Sequence, residues 1–75
     1  MDNEELKSAL LSGDPVVWKS ADGTEIEYKC VSAIVYRRKN GRVDVSTELL
    51  DKCGRSVTIC DPRRVRLKGG GADGL

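Results

Sequence analysis

Residues 25–38 restrict what this chain can form more than any other stretch, because they read as continuous β-strand. One side of the stretch carries the even positions, Ile26, Tyr28, Cys30, Ser32, Ile34 and Tyr36. Charged residues alternate with them in the first half, which predicts a strand with one buried face. Residues 31–36 are apolar on both sides, and the stretch is longer than a typical strand. We therefore predict a bent strand that serves two sheet faces or lies beneath a helix.

Shorter β segments surround this strand, and turn signals separate them. Asp22-Gly23 and Asn40-Gly41 are dipeptides of tight hairpins, and Asn-Gly supplies both positive-φ residues of a type I′ turn. The predicted strands are 15–19, 25–38, 42–50, 56–60 and 65–67, with one helical turn at 61–64 before the last. On the fourth strand, we expect Val57 and Ile59 to point inward.

A short helix is predicted for residues 2–11. Asp2 or Asn3 can cap it, and apolar residues recur at helical spacing from Leu6 onward. Gly13 is placed to end the helix in a left-handed conformation. A helix of this length is not stable alone in water, so we expect it to dock on the strands or fray.

The order of these elements resembles an SH3-like small barrel over residues 15–67. The resemblance lies in five strands, a long bent second strand, tight hairpins and a helical turn before a short closing strand. It implies a five-stranded SH3-like small barrel. The Gly-rich tail has nothing to bury, so we predict that it is disordered. The predicted fold is therefore all-β, mainly β, with a short N-terminal helix and a disordered tail. The predicted units are the helix at 1–13, the small β-barrel domain at 14–68 and the flexible tail at 69–75.

Two segments are also similar to small proteins from mobile elements of Gram-positive gut bacteria. They read YKCVSAIVYRR at 28–38 and ELLDKCGRSVTI at 48–59. This resemblance implies a bacterial, cytoplasmic setting and no particular activity. An acidic N-terminal segment, the reverse of a secretory signal's basic start, favours the same location. No apolar run approaches the roughly 18 residues of a membrane span, so we expect no membrane partner.

The chemistry available to the chain argues against an enzyme. It has no His, and its three cysteines, Cys30, Cys53 and Cys60, are spaced for neither a disulfide framework nor a zinc site. Asp44 and Glu48 share a predicted strand face but are roughly 13 Å apart at strand rise. We therefore expect no catalytic residues, no metal and no cofactor.

Charge is divided unevenly along the chain. Residues 1–28 hold seven acidic and two basic side chains, whereas residues 29–68 hold four acidic and eleven basic ones. The basic residues form two clusters, a hairpin cluster of Arg37, Arg38, Lys39 and Arg42 and a C-terminal cluster of Arg63, Arg64, Arg66 and Lys68. Arg suits bidentate contacts with phosphate, so both clusters are candidate nucleic-acid-binding residues. The alternative is that they serve solubility, and that the acidic N-terminal part neutralises them within the fold.

The leading hypothesis is a small non-catalytic interaction module that binds a protein partner. The sequence has only three aromatic residues, too few for the clusters that bind polyproline or the cages that bind methyl-lysine. One alternative is a nucleic-acid-binding accessory protein that uses both basic clusters, provided that they form one face. A second alternative is a structural protein that associates with itself, so we expect a monomer or a weak dimer.

Overall fold

The computed structural model describes residues 1–68, and these form a helix, six strands and a 3-10 helix. The elements are α1 (Asn3–Ser12), β1 (Val16–Lys19), β2 (Glu25–Tyr28), β3 (Cys30–Lys39), β4 (Arg42–Leu50), β5 (Val57–Cys60), the 3-10 helix (Pro62–Arg64) and β6 (Val65–Leu67). The chain is thus mainly β with a short N-terminal helix, as predicted. The predicted tail, 69–75, lies outside the described residues. Within residues 1–68, no helix is long and apolar enough to cross a membrane.

Helix α1 has the ends that the sequence predicts. The Asp2 side chain accepts a hydrogen bond from the Glu5 backbone, and the Glu5 side chain accepts one from the Asp2 backbone, which completes a capping box. Gly13 ends the helix at φ 73°, a left-handed conformation that glycine adopts without steric penalty. The buried residues of the helix are Leu6 and Ala9, and the helix packs on β3.

The strands form two three-stranded antiparallel sheets rather than one five-stranded barrel. Sheet A has the order β2-β1-β6 and sheet B the order β3-β4-β5. The long predicted strand is two strands, because the chain leaves one sheet at Lys29 and enters the other. The predicted bend is therefore confirmed, and the prediction of a single strand is wrong. In the described chain, β5 and β6 form no ladder with each other, so the sheets do not close into a barrel.

A bulge in β3 changes which side chains point inward. The β3–β4 register shifts between Val31 and Ala33, so an extra residue on β3 faces its partner strand. Val31 lies opposite buried Leu49, and after the bulge Ile34 lies opposite buried Thr47. Both odd-numbered Val31 and even-numbered Ile34 thus face the core. The prediction that Cys30 belongs to the inward side is wrong, because its partner, Leu50, has the opposite orientation to Leu49.

The core lies between the two sheets and α1. Its buried members are Ala9 from the helix, Val16 and Val65 from sheet A, and Val31 and Leu49 from sheet B. Trp18 and Tyr28 are partly buried against it. Because helix and sheets share this small aliphatic core, removing any one layer exposes the others to water.

Strand β5 is oriented opposite to the prediction. Thr58 and Cys60 lie opposite the buried residues Leu49 and Thr47, so they share the inner side of the sheet. Val57 and Ile59 therefore point outward, and they are 47% and 52% exposed. The prediction that these two residues face inward is wrong by one position, which in a strand reverses every side chain.

Candidate interaction surface

The C-terminal basic cluster is largely neutralised within the fold. Arg63 pairs with Asp61 at 2.7 Å and Arg66 pairs with Glu25 at 3.0 Å. Lys68 pairs with Glu27 at 2.9 Å, and the Glu27 carboxylate also binds a lysine from the β4–β5 connection, Lys52, at 3.3 Å.

Glu25 and Glu27 of the N-terminal part therefore meet cations of the C-terminal part, as the solubility hypothesis expects, whereas the Arg63 partner, Asp61, is local. Arg64 differs, since its guanidinium contacts the backbone carbonyl of Lys19 at 3.4 Å. Three of the four C-terminal cations are thus already engaged by carboxylates and are poor candidates for phosphate contacts.

These ion pairs cover an apolar residue on the outside of sheet A. Val17 points away from the core, because its neighbours Val16 and Trp18 on β1 point into it. Val17 is nevertheless only 7% exposed. Arg66 and Glu27 flank it on β6 and β2, so their aliphatic stems shield it. Their charged ends pair with Glu25 and Lys68, respectively. This side of the protein is therefore closed by its own ion pairs.

The hairpin cluster is different, because within residues 1–68 its cations have no acidic partner at hydrogen-bonding range. The turn between β3 and β4 has Asn40 at φ 50° and Gly41 at φ 78°, the type I′ geometry that the sequence predicts. None of the four salt bridges in the described residues involves the hairpin cluster, defined above as Arg37, Arg38, Lys39 and Arg42. Lys39 lies directly opposite Arg42, so two cations meet at the tip. This end of sheet B carries a net positive charge, with Asp44 opposite Arg37 but outside salt-bridge range of it.

The two clusters lie on different elements. The hairpin cluster is at the tip of sheet B, whereas the C-terminal cluster follows the 3-10 helix and β6 of sheet A. Where Arg63 approaches β4, it lines a common cleft with two carboxylates, Asp44 and Asp61. A continuous phosphate-binding face would need cations in this cleft between the two clusters, and the cleft holds carboxylates as well.

One side of sheet B, which we call the outer face, combines this charge with an apolar patch. Cross-strand rows define it from base to tip: Cys30, Leu50 and Val57; then Ala33, Glu48 and Ile59; then Val35 and Ser46; then Arg37 and Asp44; and finally Lys39 and Arg42. The base is apolar and the tip is cationic, while Arg38 lies on the opposite side of the sheet. Glu48 interrupts the base, and it accepts a hydrogen bond from Ser32 at 3.0 Å.

An open cleft of about 810 Å³ lies between the N-terminal segment, β4 and the 3-10 helix. Of its three carboxylates, Asp2, Asp44 and Asp61, the first and the last are committed to structural roles. Asp2 caps α1, and Asp61 caps the 3-10 helix by accepting the Arg63 backbone N–H at 2.9 Å. Hydrogen bonds from the Arg63 side chain hold the pKa of Asp61 at about 2. Asp61 is therefore charged at neutral pH and is no general acid.

The cysteines are free thiols with different environments. Cys53 is exposed, and Cys30 and Cys60 are partly buried. Burial, together with the negative charge of Asp61, raises the pKa of the Cys60 thiol to about 11. Cys60 is thus protonated at neutral pH, the opposite of an activated nucleophile. In residues 1–68, no group of three potential metal-ligating side chains comes together.

Comparison with known proteins provides no relative from which a function can be transferred. The chain matches no family model, no curated protein and no solved structure. Its surface must therefore be interpreted from its own geometry. Sequence reasoning found the hairpin cluster and missed the apolar patch, because Val57 and Ile59 read as core residues. Because the strand Val57–Cys60 contains no charged residue, its sequence does not show which of its two sides faces water.

Proposed function

We propose that the protein is a small non-catalytic interaction module that binds an acidic protein partner on the outer face of sheet B. The observation that carries this proposal is the arrangement on one face of an apolar base, with Val57 and Ile59 half exposed, and a cationic tip that no salt bridge of residues 1–68 neutralises. Apolar area contributes affinity to a protein interface, and uncompensated charge selects a partner of the opposite sign. The ionised carboxylate of Asp61 and the protonated thiol of Cys60 support a role without catalysis.

We also propose a fold family and a cellular location for the protein. The strand order β6-β1-β2 in one sheet and β3-β4-β5 in the other, joined by the bend at Lys29, is compatible with an open variant of an SH3-like barrel. Such barrels host unrelated activities, so the fold adds no function by itself. We place the protein in the cytoplasm of a bacterium, which the free thiols of Cys30, Cys53 and Cys60 support.

The test is site-specific photo-crosslinking in the native host. A photoreactive residue at Val35, on the outer face, should capture an acidic protein that the same residue at Val43 does not capture. Val43 is a suitable control because it is exposed on the same sheet but points to the opposite side. Reversing charge with Arg37→Glu and Arg42→Glu should abolish capture. Equal capture from both positions, or capture that survives charge reversal, would contradict the proposal.

A nucleic-acid backbone is the second candidate for the hairpin cluster. It is favoured by the four cations that have no salt bridge in the described chain, and disfavoured by the pairing of Arg66 and Lys68 with carboxylates. Binding to duplex DNA, single-stranded DNA and RNA should be measured across a salt series. If this candidate is right, affinity falls with salt at a slope of about −0.9 per duplex phosphate contacted. Arg37→Gln then weakens binding, whereas Arg66→Gln does not.

A further inference from the structure

Strand β5 has an open backbone edge. It pairs with β4 on one side, and no other backbone hydrogen bond reaches Val57 or Ile59 within residues 1–68. Edge strands of natural proteins are commonly protected by Lys, Pro or an inward charge. The strand Val57–Cys60 has none of these within it. Only its short length limits what could pair with it.

The register shows which backbone groups are exposed along this edge. The Asp51 N–H donates to the Ser56 carbonyl at 2.9 Å, so these residues form a hydrogen-bonded pair where the β4–β5 ladder begins. Hydrogen-bonded and non-hydrogen-bonded pairs alternate along antiparallel strands. Thr58 and Cys60 therefore direct their backbone groups toward β4. Val57 and Ile59 direct theirs away from it, toward the open edge.

We infer that this edge pairs with the same edge of a second copy of the chain, antiparallel and about a twofold axis. If Val57 of one copy lies opposite Ile59 of the other, their outward backbone groups exchange hydrogen bonds, and the twofold axis repeats the pair. Thr58 then lies opposite Thr58 of the second copy. The interface is self-complementary, as a closed twofold dimer requires.

Charge complementarity supports a second copy as the occupant. In the register that places Val57 opposite Ile59, Arg55 lies opposite Asp61 of the second copy, twice by symmetry. Asp61 continues the outer-face alternation of Val57 and Ile59, and Arg55 lies in the bend that precedes β5. The Arg55 side chain has no salt bridge within the described chain. Asp61 has an extended backbone and pairs with Arg63 of its own chain at 2.7 Å. Arg55 of the second copy therefore adds a second cation to the Asp61 carboxylate, as Lys52 and Lys68 share Glu27. The strand is thus flanked by one cation and one anion, each opposite its counterpart.

This pairing would extend sheet B into a continuous sheet of both copies, β3-β4-β5 followed by β5-β4-β3. The side chains of Val57 and Ile59 remain on the outer face, so the dimer doubles the apolar base without covering it. The inference is independent of the partner proposed above, because it uses the backbone edge of β5 and not the hairpin tip. A four-residue strand gives few intermolecular hydrogen bonds, so a weak and reversible dimer is expected.

Sedimentation velocity in reducing buffer, over a wide concentration range, tests the inference. Ile59→Lys should raise the dimer dissociation constant by about tenfold or more, because it places two lysines at the shared edge. Val43→Lys is the matched control, since Val43 is 60% exposed on the same sheet but distant from β5, and it should leave the constant unchanged. Arg37→Glu with Arg42→Glu, which tests the acidic partner, should also leave dimerisation intact.

Charge exchange tests the register itself. Arg55→Glu and Asp61→Lys should each weaken self-association, because each places like charges opposite one another. Mixing the two variants should restore association, since the introduced glutamate of one chain then faces the introduced lysine of the other. The remaining pair in that mixed dimer is the native one, Arg55 opposite Asp61. Circular dichroism must show that both variants are folded. If Asp61→Lys unfolds the chain because the 3-10 helix loses its cap, Ile59→Lys still tests the pairing. A dimer insensitive to all these changes would overturn the inference.

Amide hydrogen exchange supplies a residue-specific measurement. The N–H groups of Val57 and Ile59 should become protected as concentration rises, whereas those of Thr58 and Cys60 are protected at every concentration by β4. A chain that stays monomeric at high concentration, with Val57 and Ile59 always unprotected, overturns self-pairing. If the Val57 and Ile59 N–H groups become protected only when a different polypeptide is added, self-pairing is also overturned, because the edge then binds a partner strand.

Discussion

The guanidinium of Arg66 on β6 donates a hydrogen bond to the carboxylate of Glu25 on β2, 3.0 Å away, across the intervening strand β1. Lys68, which directly follows β6, and Glu27 of β2 repeat this arrangement two residues further along. Residues that the sequence places far apart along the chain thus neutralise each other. The consequence is a division of the surface, with a closed ionic side on sheet A and an open cationic tip on sheet B.

Neutralising Glu27 should reduce stability in a pH-dependent manner. A hydrogen bond from Lys68, assisted by Lys52, lowers the pKa of Glu27 below its usual value. A lowered folded-state pKa adds stability above the pKa of the unfolded chain, and this stability is lost as pH falls through the folded-state pKa. Glu27→Gln should therefore lower the melting temperature at pH 7 and have no effect at strongly acidic pH.

Thermal melting of both proteins from neutral to acidic pH measures this. Asp14→Asn is the control, because the Asp14 carboxylate makes no hydrogen bond or salt bridge in residues 1–68. A difference between Glu27→Gln and the native protein that stays constant with pH would contradict the role of the ion pair.

Truncating Leu49 should be the most damaging change in sheet B. Leu49 is fully buried in the core shared by the two sheets and α1. Leu49→Ala should destabilise the fold by about 2–5 kcal/mol through lost burial and the cavity left behind. Urea denaturation provides the measurement. Val57→Ala, on the exposed side of the neighbouring strand, should have a much smaller effect, and equal effects would mean that β5 is oriented as the sequence suggested.

The capping box of α1 should contribute measurably to the whole domain. Asp2→Ala removes the acceptor for the Glu5 backbone N–H, and loss of such a cap destabilises by about 0.5–2 kcal/mol. Because α1 packs on β3, the loss should appear in the unfolding of the sheets as well as of the helix. Helical and strand probes should shift together in one denaturation curve. Asp14→Ala, beyond the helix, should leave that curve unchanged.

Alkaline conditions should weaken the fold through Cys60. Burial raises the pKa of its thiol to about 11, above that of a thiol in the unfolded chain. The unfolded chain therefore releases the proton first, and stability falls as pH rises above the unfolded-state pKa. Cys60→Ser should flatten this loss in urea titrations at mildly alkaline pH. Alkylation followed by mass spectrometry should modify exposed Cys53 well before Cys60, and the reverse order would contradict the assigned burial.

Features with local causes could be predicted from the sequence. The capping box at Asp2, the left-handed end at Gly13 and the Asn40-Gly41 turn each depend on a few adjacent residues. The 3-10 helix with Pro62 at its start and Asp61 as its cap has the same character. The hairpin cluster was also predictable, because a tight turn fixes which charges it carries.

Features that depend on register could not be predicted in this way. The bulge after Val31 and the orientation of Val57 and Ile59 follow from how β3 and β5 align with β4. A shift of one position reverses a strand's faces, and both sides of these strands are apolar enough to be buried.

The positions of the helix and the tight turns, and roughly those of the strands, follow from local sequence, since short-range hydrogen bonding and backbone preference specify them. Which cations are engaged by carboxylates depends instead on how the strands assemble. Arg66 and Lys68 look as available as Arg37 and Arg42 until β1 brings β6 near β2. The physical reason is that pairing of charges depends on distance in space, which sheet topology sets and local sequence does not encode.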